Sequence, residues 1–373
     1  MAKAKSDKSL YNQLTPQVSY NDAIVNTARR AKWKLHFNGV DITDQVKKDL
    51  ISLEIKDVED SEADDLQIKI ADRDGKWLQD WLDTTVQKGS AGAKGLKITA
   101  TIGTRNHEGK VVEQNNGTFI LDTMSHDGPP STCTIKATSV DFKKGIRSEK
   151  KSKSWKNLKL KKLTQTVAKS GGLKYYYQPK SNPKFKKITQ ADETMLAFLI
   201  RCCESKGYSV KICGTNMVVY DPKSLEDKDV VRSYSFADGK IESWNYNTGS
   251  ADKCYDYCTV QYTNPKNGKL IKGVYKSPEY KKNDEHTELL ITNKKVASKA
   301  EAKTYAKSQL TLKNKFERTV SLTIPGDPAM MSGLTIQIKK SGYWTGKYII
   351  HEATHSISQG GYTTRLDLRY VYN

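Results

Sequence analysis

The run His351-Glu352-Ala353-Thr354-His355 carries the sharpest chemical signature in the chain, because it spells the H-E-x-x-H pattern of zinc peptidases. In that chemistry a helix puts two imidazoles on one face, and the intervening glutamate works on the metal-bound water. Here the flanks are Tyr348-Ile349-Ile350 and Ser356-Ile357-Ser358, with Gly360-Gly361 close behind, which predicts a strand ending in a turn. On a strand the two rings share a face but stand roughly 13 Å apart at ~3.3 Å per residue, too far for one ion. No glutamate follows His355 to act as the usual third ligand. The match reads as coincidence.

Carboxylates crowd a second stretch, Asp57, Glu59, Asp60, Glu62, Asp64 and Asp65, and Asp72-Arg73-Asp74-Gly75 follows it. A calcium loop of the EF-hand kind needs alternating oxygen ligands between two helices and a closing glutamate at its twelfth position. Counted from Asp72 that position is Asp83, and the flanks alternate like strands. Both acidic stretches are therefore read as solvated turns. Asp221 and Asp238 stand isolated, and neither a phosphate-cradling G-x-x-x-x-G-K-[ST] loop nor a G-x-S-x-G nucleophile elbow occurs. The reading assigns no catalytic residue, no metal and no cofactor.

The six cysteines fit a reducing compartment. Cys202 and Cys203 are adjacent within an apolar helical pattern, Cys133 and Cys213 lie in strand-like stretches, and Cys254 and Cys258 lack a second ligand pair. Buried free thiols are the expectation. Tyrosine is frequent, and Tyr175-Tyr176-Tyr177 is compatible with a stacking platform for single strands, with strand packing or with a subunit contact. The net charge of +20 comes from lysine far more than arginine. Lysine is a solvated point charge and lacks the fork that arginine brings to phosphates and bases. A solvated basic surface is the preferred reading, ahead of a field that attracts an acidic partner or loosely held DNA.

The elements that would position these residues fall into three parts. Residues 1–32 are polar with scattered apolar positions and are expected to form an arm ordered by a neighbour. The start shows no secretory signal, and no apolar run approaches the ~20 residues that span a bilayer. Over 33–146, Asn38-Gly39 marks a hairpin, and Ile51, Leu53, Ile55 and then Leu66, Ile68, Ile70 alternate as half-buried strands. A short helix is expected on Trp77, Leu78, Trp81 and Leu82. Further strands at 96–102, 118–125 and 133–140 are separated by Asn115-Asn116-Gly117 and Gly128-Pro129-Pro130. This part predicts a small, partly open β-barrel.

Residues 147–231 read as α+β. A basic stretch from Arg147 to Lys162 leads into a helix with Leu160, Leu163 and Val167 on one face, stopped at Gly171-Gly172. Thr189 and Asp192 resemble a cap for a second helix carrying Met195, Leu196, Phe198, Leu199 and Cys202. A hairpin follows around Gly214-Thr215-Asn216. Residues 232–373 predict a second tube-like β-barrel, interrupted by a helix at about 298–312 that opens on the capping box Ser298/Glu301. The fold class is mainly β with an α+β middle.

In this order the features resemble the late control D / VgrG-type baseplate hub family of contractile phage tails, type VI secretion spikes and R-type bacteriocins. The resemblance runs from about Trp33 to the end. It is carried by Gly39-Val40-Asp41-Ile42-Thr43, by Asp72-Arg73-Asp74-Gly75-Lys76-Trp77, and by Ser154-Trp155 through Gly171-Gly172-Leu173. Gln190-Ala191-Asp192-Glu193-Thr194 through Gly207-Tyr208 adds to it. The most specific run is Pro325-Gly326-Asp327-Pro328, Ser332-Gly333, Gly346-Lys347-Tyr348, His355-Ser356 and Gly361-Tyr362-Thr363-Thr364.

The resemblance implies a histidine near His355 on the last-but-one strand with no metal attached. It also implies a homotrimer in which three pairs of barrels make a pseudo-sixfold ring, between a hexameric tail tube protein and a trimeric spike protein. Other baseplate components would complete the setting, in a particle assembled in a bacterial cytoplasm and released by lysis. No catalysis, specific nucleic acid or membrane insertion is implied. Spike and cell-wall cleavage are expected to belong to other proteins. Despite the family's name, nothing here resembles a DNA-reading helix. The rival reading, a basic nucleic-acid-binding protein, rests on the charge and the tyrosine run, and a zinc peptidase rests on residues 351–355 alone.

Overall fold

The computed structural model describes residues 18–21, 30–60, 63–75, 77, 96–105, 110–139, 145–146, 149–249, 254–265, 267–282, 286–292 and 294–372. Period-two patterning builds its first part: β1 (Val18–Asn21), β2 (Arg30–Phe37), β3 (Val40–Asp41), the single turn α1 (Thr43–Lys47), β4 (Leu50–Val58), β5 (Asp65–Ala71), β6 (Lys97–Arg105), β7 (Val111–Asp127) and β8 (Thr132–Thr138). Asn38 and Gly39 both take positive φ, +47° and +86°, the backbone a two-residue hairpin between β2 and β3 requires. Leu53, Ile55, Leu66, Ile68 and Ile70 all enter one core. A register shift near the start of β4 turns Leu50 into that core and leaves Ile51 half-buried.

Two expectations change here. Asn115-Asn116-Gly117 is not a turn between strands but an irregularity inside β7. Thr99 pairs with Thr118 and Thr101 with Asn115, so Asn116 and Gly117 bulge opposite Ala100. Gly117 takes φ +90°, and its N–H donates to Asn115 Oδ1 at 2.8 Å, which lets the bulge form without breaking the strand. The arm contributes β1, which pairs antiparallel with β7 of its own chain. Of the helix expected over Trp77–Leu82, only Trp77 lies among the described residues, and it is buried in the first core.

The middle part comprises β9 (Lys150–Lys159), α2 (Leu160–Gly171), β10 (Lys174–Tyr177), β11 (Lys184–Thr194), α3 (Met195–Glu204), β12 (Ser209–Cys213), β13 (Asn216–Tyr220) and the single turn α4 (Lys223–Glu226). Leu160, Leu163 and Val167 face inward at helical spacing, and Gly172 closes α2 in the left-handed region at φ +62°. Most of the basic stretch is strand β9, paired with β11, and it leads directly into α2 as expected. Thr189 and Asp192 belong to β11, and the cap of α3 is Thr194, whose side chain accepts from Ala197 N at 3.2 Å. Behind that cap Met195, Leu196, Phe198, Leu199 and Cys202 join the α2 face in a second core.

The last part holds β14 (Val230–Tyr234), β15 (Ser243–Thr248), β16 (Tyr257–Thr263), β17 (Leu270–Lys276), β18 (Glu288–Ile291), α5 (Lys299–Asn314), β19 (Arg318–Pro325), β20 (Thr335–Ile338), β21 (Gly346–Ser358) and β22 (Gly361–Tyr370). Ser298 Oγ accepts from Glu301 N, and Glu301 reaches back to Ala297 N, so the capping-box residues do cap α5. β16, β17 and β18 form a separate three-stranded sheet. With α5 it closes a small core of Cys258, Val260, Val296, Ala302, Ala306 and Leu310. All six cysteines are free, four of them buried.

Fourteen strands form one sheet, ordered β15-β19-β22-β21-β4-β5-β8-β7-β6-β2-β3, with β1 added on β7 and with β14 and β20 branching from β21. The two β parts, expected to be joined through the α+β part, thus also meet strand to strand. β21 pairs antiparallel with β4 from Glu352↔Val58 to Ser358↔Ser52. Its residues serve two cores: Tyr348, Ile350 and Ala353 join Leu322, Ile336, Leu366 and Leu368 in a third core, and Ile357 enters the first. The fold is mainly β with an α+β middle.

Candidate functional site

Residues 351–355 sit on β21, between β22 and β4. A register shift between Ile350 and Glu352 lifts His351 out of the ladder. Its Nδ1 lies 3.3 Å from Glu59 Oε2, and its ring meets Phe316 edge-on. Glu352 pairs with Lys56 at 2.8 Å. His355 is 1 % exposed. Its Nε2–H donates to the Met330 carbonyl at 3.0 Å, and Nδ1 accepts from the Tyr362 hydroxyl at 2.8 Å. The two imidazoles serve separate partners on a strand, so the spacing that a helix would turn to zinc chemistry here supports packing.

Burial pushes the His355 imidazole down to about 4, against the modest opposing pull of Asp57 and the Met330 carbonyl. A base whose folded value lies below its ordinary 6.5 is held neutral by the fold. Its contribution is whole above that ordinary value and is lost as pH falls toward about 4. The gap is worth on the order of 3 kcal/mol. Denaturant midpoints measured from pH 7 to pH 4 are expected to fall, and His355→Gln, which keeps a donor and an acceptor but no titration, is expected to flatten that limb. An equally steep limb in the variant would remove His355 from this role.

The acidic segment is where the sequence reading fails. Asp57, Glu59, Asp60 and Asp64 are buried, not solvated. Glu59 accepts two hydrogen bonds from the Arg369 guanidinium, at 2.7 and 3.0 Å, and lies 3.8 Å from Lys315. Arg369 also donates to Glu226 at 2.6 Å. Asp60 accepts from Lys315 at 2.8 Å and from Ser209 at 2.7 Å. Asp57 takes Lys211 on one oxygen and the Ser332 N–H, at 2.8 Å, on the other. Asp64 accepts from Val58 N at 3.1 Å, and Tyr220 donates to the Glu59 carbonyl at 2.9 Å. Asp65 is exposed, and Glu62 lies outside the described residues.

A buried carboxylate is tolerable only when paired and hydrogen-bonded. Burial alone would raise Glu59, but Arg369, His351 and Lys315 outweigh it and hold the carboxyl well below its usual range. Asp64 goes the other way, to about 7, because burial and the adjacent Asp57 exceed the pull of Lys211. Lys211 itself is raised, the two aspartates overcoming its burial. Loop 57–65 is thus a clasp: it leaves the first β part and binds Lys211, Ser209 and Tyr220 of the α+β part and Arg369, Lys315 and Ser332 of the last. No local signal marks this, since the neutralising cations Lys211, Lys315 and Arg369 stand 154, 255 and 310 residues away in sequence.

Asp72, Asp221 and the tyrosine run have partners within the fold too. Asp72 is buried, with Oδ1 accepting from Trp77 N at 3.0 Å and Oδ2 lying 3.0 Å from His126 Nε2, while Asp83 lies outside the described residues. Asp221 Oδ1 accepts from Lys223 N at the start of α4. Tyr175 and Tyr177 pack against the second core, and the Tyr177 hydroxyl donates to Ser181 O at 2.9 Å.

The chain is 29% identical over 191 residues to a probable baseplate hub protein of Escherichia phage 186, covering 50% of this chain and 44% of the relative. It is 28% identical over 181 residues to the probable baseplate hub protein of Escherichia phage P2, covering 48% and 42%. The matched region therefore spans less than half of either relative. Among solved structures, a 43 kDa tail protein of prophage MuSo2 from Shewanella oneidensis shares the fold at TM-score 0.67 and 14% identity, over 91% of this chain and 98% of that one. A tail protein from Neisseria meningitidis MC58 does so at TM-score 0.66 and 15% identity, over 91% and 96%. The YQBQ-like family matches residues 124–369, more than half of the sequence, and the chain belongs to that family.

Proposed function

We propose that the chain is a structural baseplate hub of a contractile tail or injection particle, acting as a homotrimer and catalysing nothing. The observation that carries this is the sequence similarity to two probable baseplate hub proteins across half of the chain. The arrangement of the sheet supports it. The sheet ends on β3 and β15, and open edges are a liability unless something covers them. Closure of three chains into a ring would cover such edges, and two β parts per chain would present six-fold pseudo-symmetry to a tube and three-fold symmetry to a spike. In this reading 33–146 and 232–373 are the ring-forming domains and 147–231 sits on them. The partners are a tail tube protein, a spike protein and other baseplate components, assembled in the bacterial host and released by lysis.

Light scattering of the purified chain at moderate salt, with and without chelator, tests the assembly. A mass near three chains, unchanged by chelator, is expected. A chain that is monomeric alone and still monomeric in isolated tail particles overturns the hub reading.

A further inference from the structure

Strands β9 and β11 form a two-stranded ribbon of their own, outside the large sheet. One face is anchored: Leu158, Trp155, Phe185 and Ile188 join the second core, and the Trp155 ring stacks on Phe198 with centroids 6.0 Å apart. The rest of that end is exposed and basic: Lys156, Lys159, Lys184, Lys186 and Lys187 are all exposed there. In the register Lys187 stands opposite Lys156, and Lys184 opposite Lys159. Like charges directly across a ladder destabilise it. At the far end of the same ribbon the lysines are matched, Lys150 by Asp192 and Lys151 by Glu149. None of the five has a carboxylate partner among the described residues.

We propose that this lysine ribbon is a docking surface for the phosphate backbone of duplex DNA, without sequence reading. Three residues along a strand and one step across it place the Cα atoms of the five lysines within roughly 10 by 5 Å. A partner of matching density is needed, and a DNA duplex carries one negative charge per ~1.7 Å of axis. The surface of a folded protein usually intersperses both signs and falls short of that density. The five residues are all lysine, point charges that neutralise phosphates but cannot grip base edges bidentately, so the contact fixes position and not sequence. The ribbon's packed inner residues fix the backbone that carries the lysines before any partner arrives, which lowers the ordering cost of binding. This surface is independent of the hub reading.

The test is binding of the full chain to a mixed-sequence DNA duplex by fluorescence anisotropy across a salt series. The variant changes Lys156, Lys159, Lys184, Lys186 and Lys187 to Gln. A control removes the same charge from Lys136, Lys269, Lys272, Lys299 and Lys313, all exposed elsewhere. The slope of log affinity on log salt is expected to fall by about 4.5 in the ribbon variant, at ~0.9 for each phosphate no longer neutralised, and to change little in the control. Equal losses in both proteins, or none in either, overturn the proposal. So does tighter binding of poly-glutamate than of DNA to the unaltered chain, which would give the ribbon to an acidic protein.

Discussion

Arg369→Met is expected to destabilise the fold by about 3–5 kcal/mol, because it strands the Glu59 carboxylate in a site from which water is excluded. The methionine keeps much of the side-chain volume, so the loss reads on charge and hydrogen bonds rather than on a cavity. Glu59 would keep only His351 and the more distant Lys315, at 3.3 and 3.8 Å. Glu226, the second carboxylate on Arg369, stands nearer solvent and can rehydrate. The double variant Glu59→Gln/Arg369→Met is expected to recover part of the loss, since removing both charges costs less than orphaning one. Urea denaturation of the four proteins of this cycle measures the coupling. Losses that simply add, with no recovery in the double variant, would show that the pair does not act as a unit.

Ile357→Ala is the second large effect. Ile357 lies on β21 but fills the first core, so the substitution removes apolar volume from a part of the protein that its neighbours in sequence do not belong to. A buried Ile→Ala change costs about 2–5 kcal/mol. Ile350→Ala on the same strand empties the third core instead, at a similar cost. Because β21 and β4 share one ladder, either substitution is expected to shift a single unfolding transition for both β parts. Hydrogen exchange on β5 and β22 should report it equally. Two separate transitions, each moved by only one of the variants, would sink the idea that the ladder couples them.

Much of the architecture is legible in local pattern. The alternation in β4 and β5, the paired positive-φ residues at Asn38-Gly39, the one-sided stripes of α2 and α3 and the cap at Ser298 all arise between residues a few positions apart. The failures have equally physical causes. Asn115-Asn116-Gly117 has turn composition, but a bulge uses the same backbone freedom as a turn and leaves the strand running. Thr189 and Asp192 have cap chemistry in the wrong place, since β9 claims their backbone for pairing and Thr194 takes the cap. The acidic clasp is hidden most deeply. Asp57, Glu59, Asp60 and Asp64 look solvated until Arg369, Lys315 and Lys211 are brought in by strand order. His351 and His355 show the converse: a specific-looking motif dissolves once the strand predicted from its flanks gives each imidazole its own partners.

The β4–β21 ladder also sets a timetable. Glu54 and Ser356 pair across 302 residues, so the β4 ladder cannot be completed until β21 has been made. The first β part would leave the ribosome with an open strand edge and a core that still lacks Ile357. Contacts of such sequence separation slow folding, because the closing loop must be ordered before the ladder stabilises it. During that interval the unpaired edge is the nascent chain's most aggregation-prone surface. β21, made about 300 residues after β4, therefore finishes the first β part as well as its own, and loss of β21 and β22 should cripple folding of both β parts.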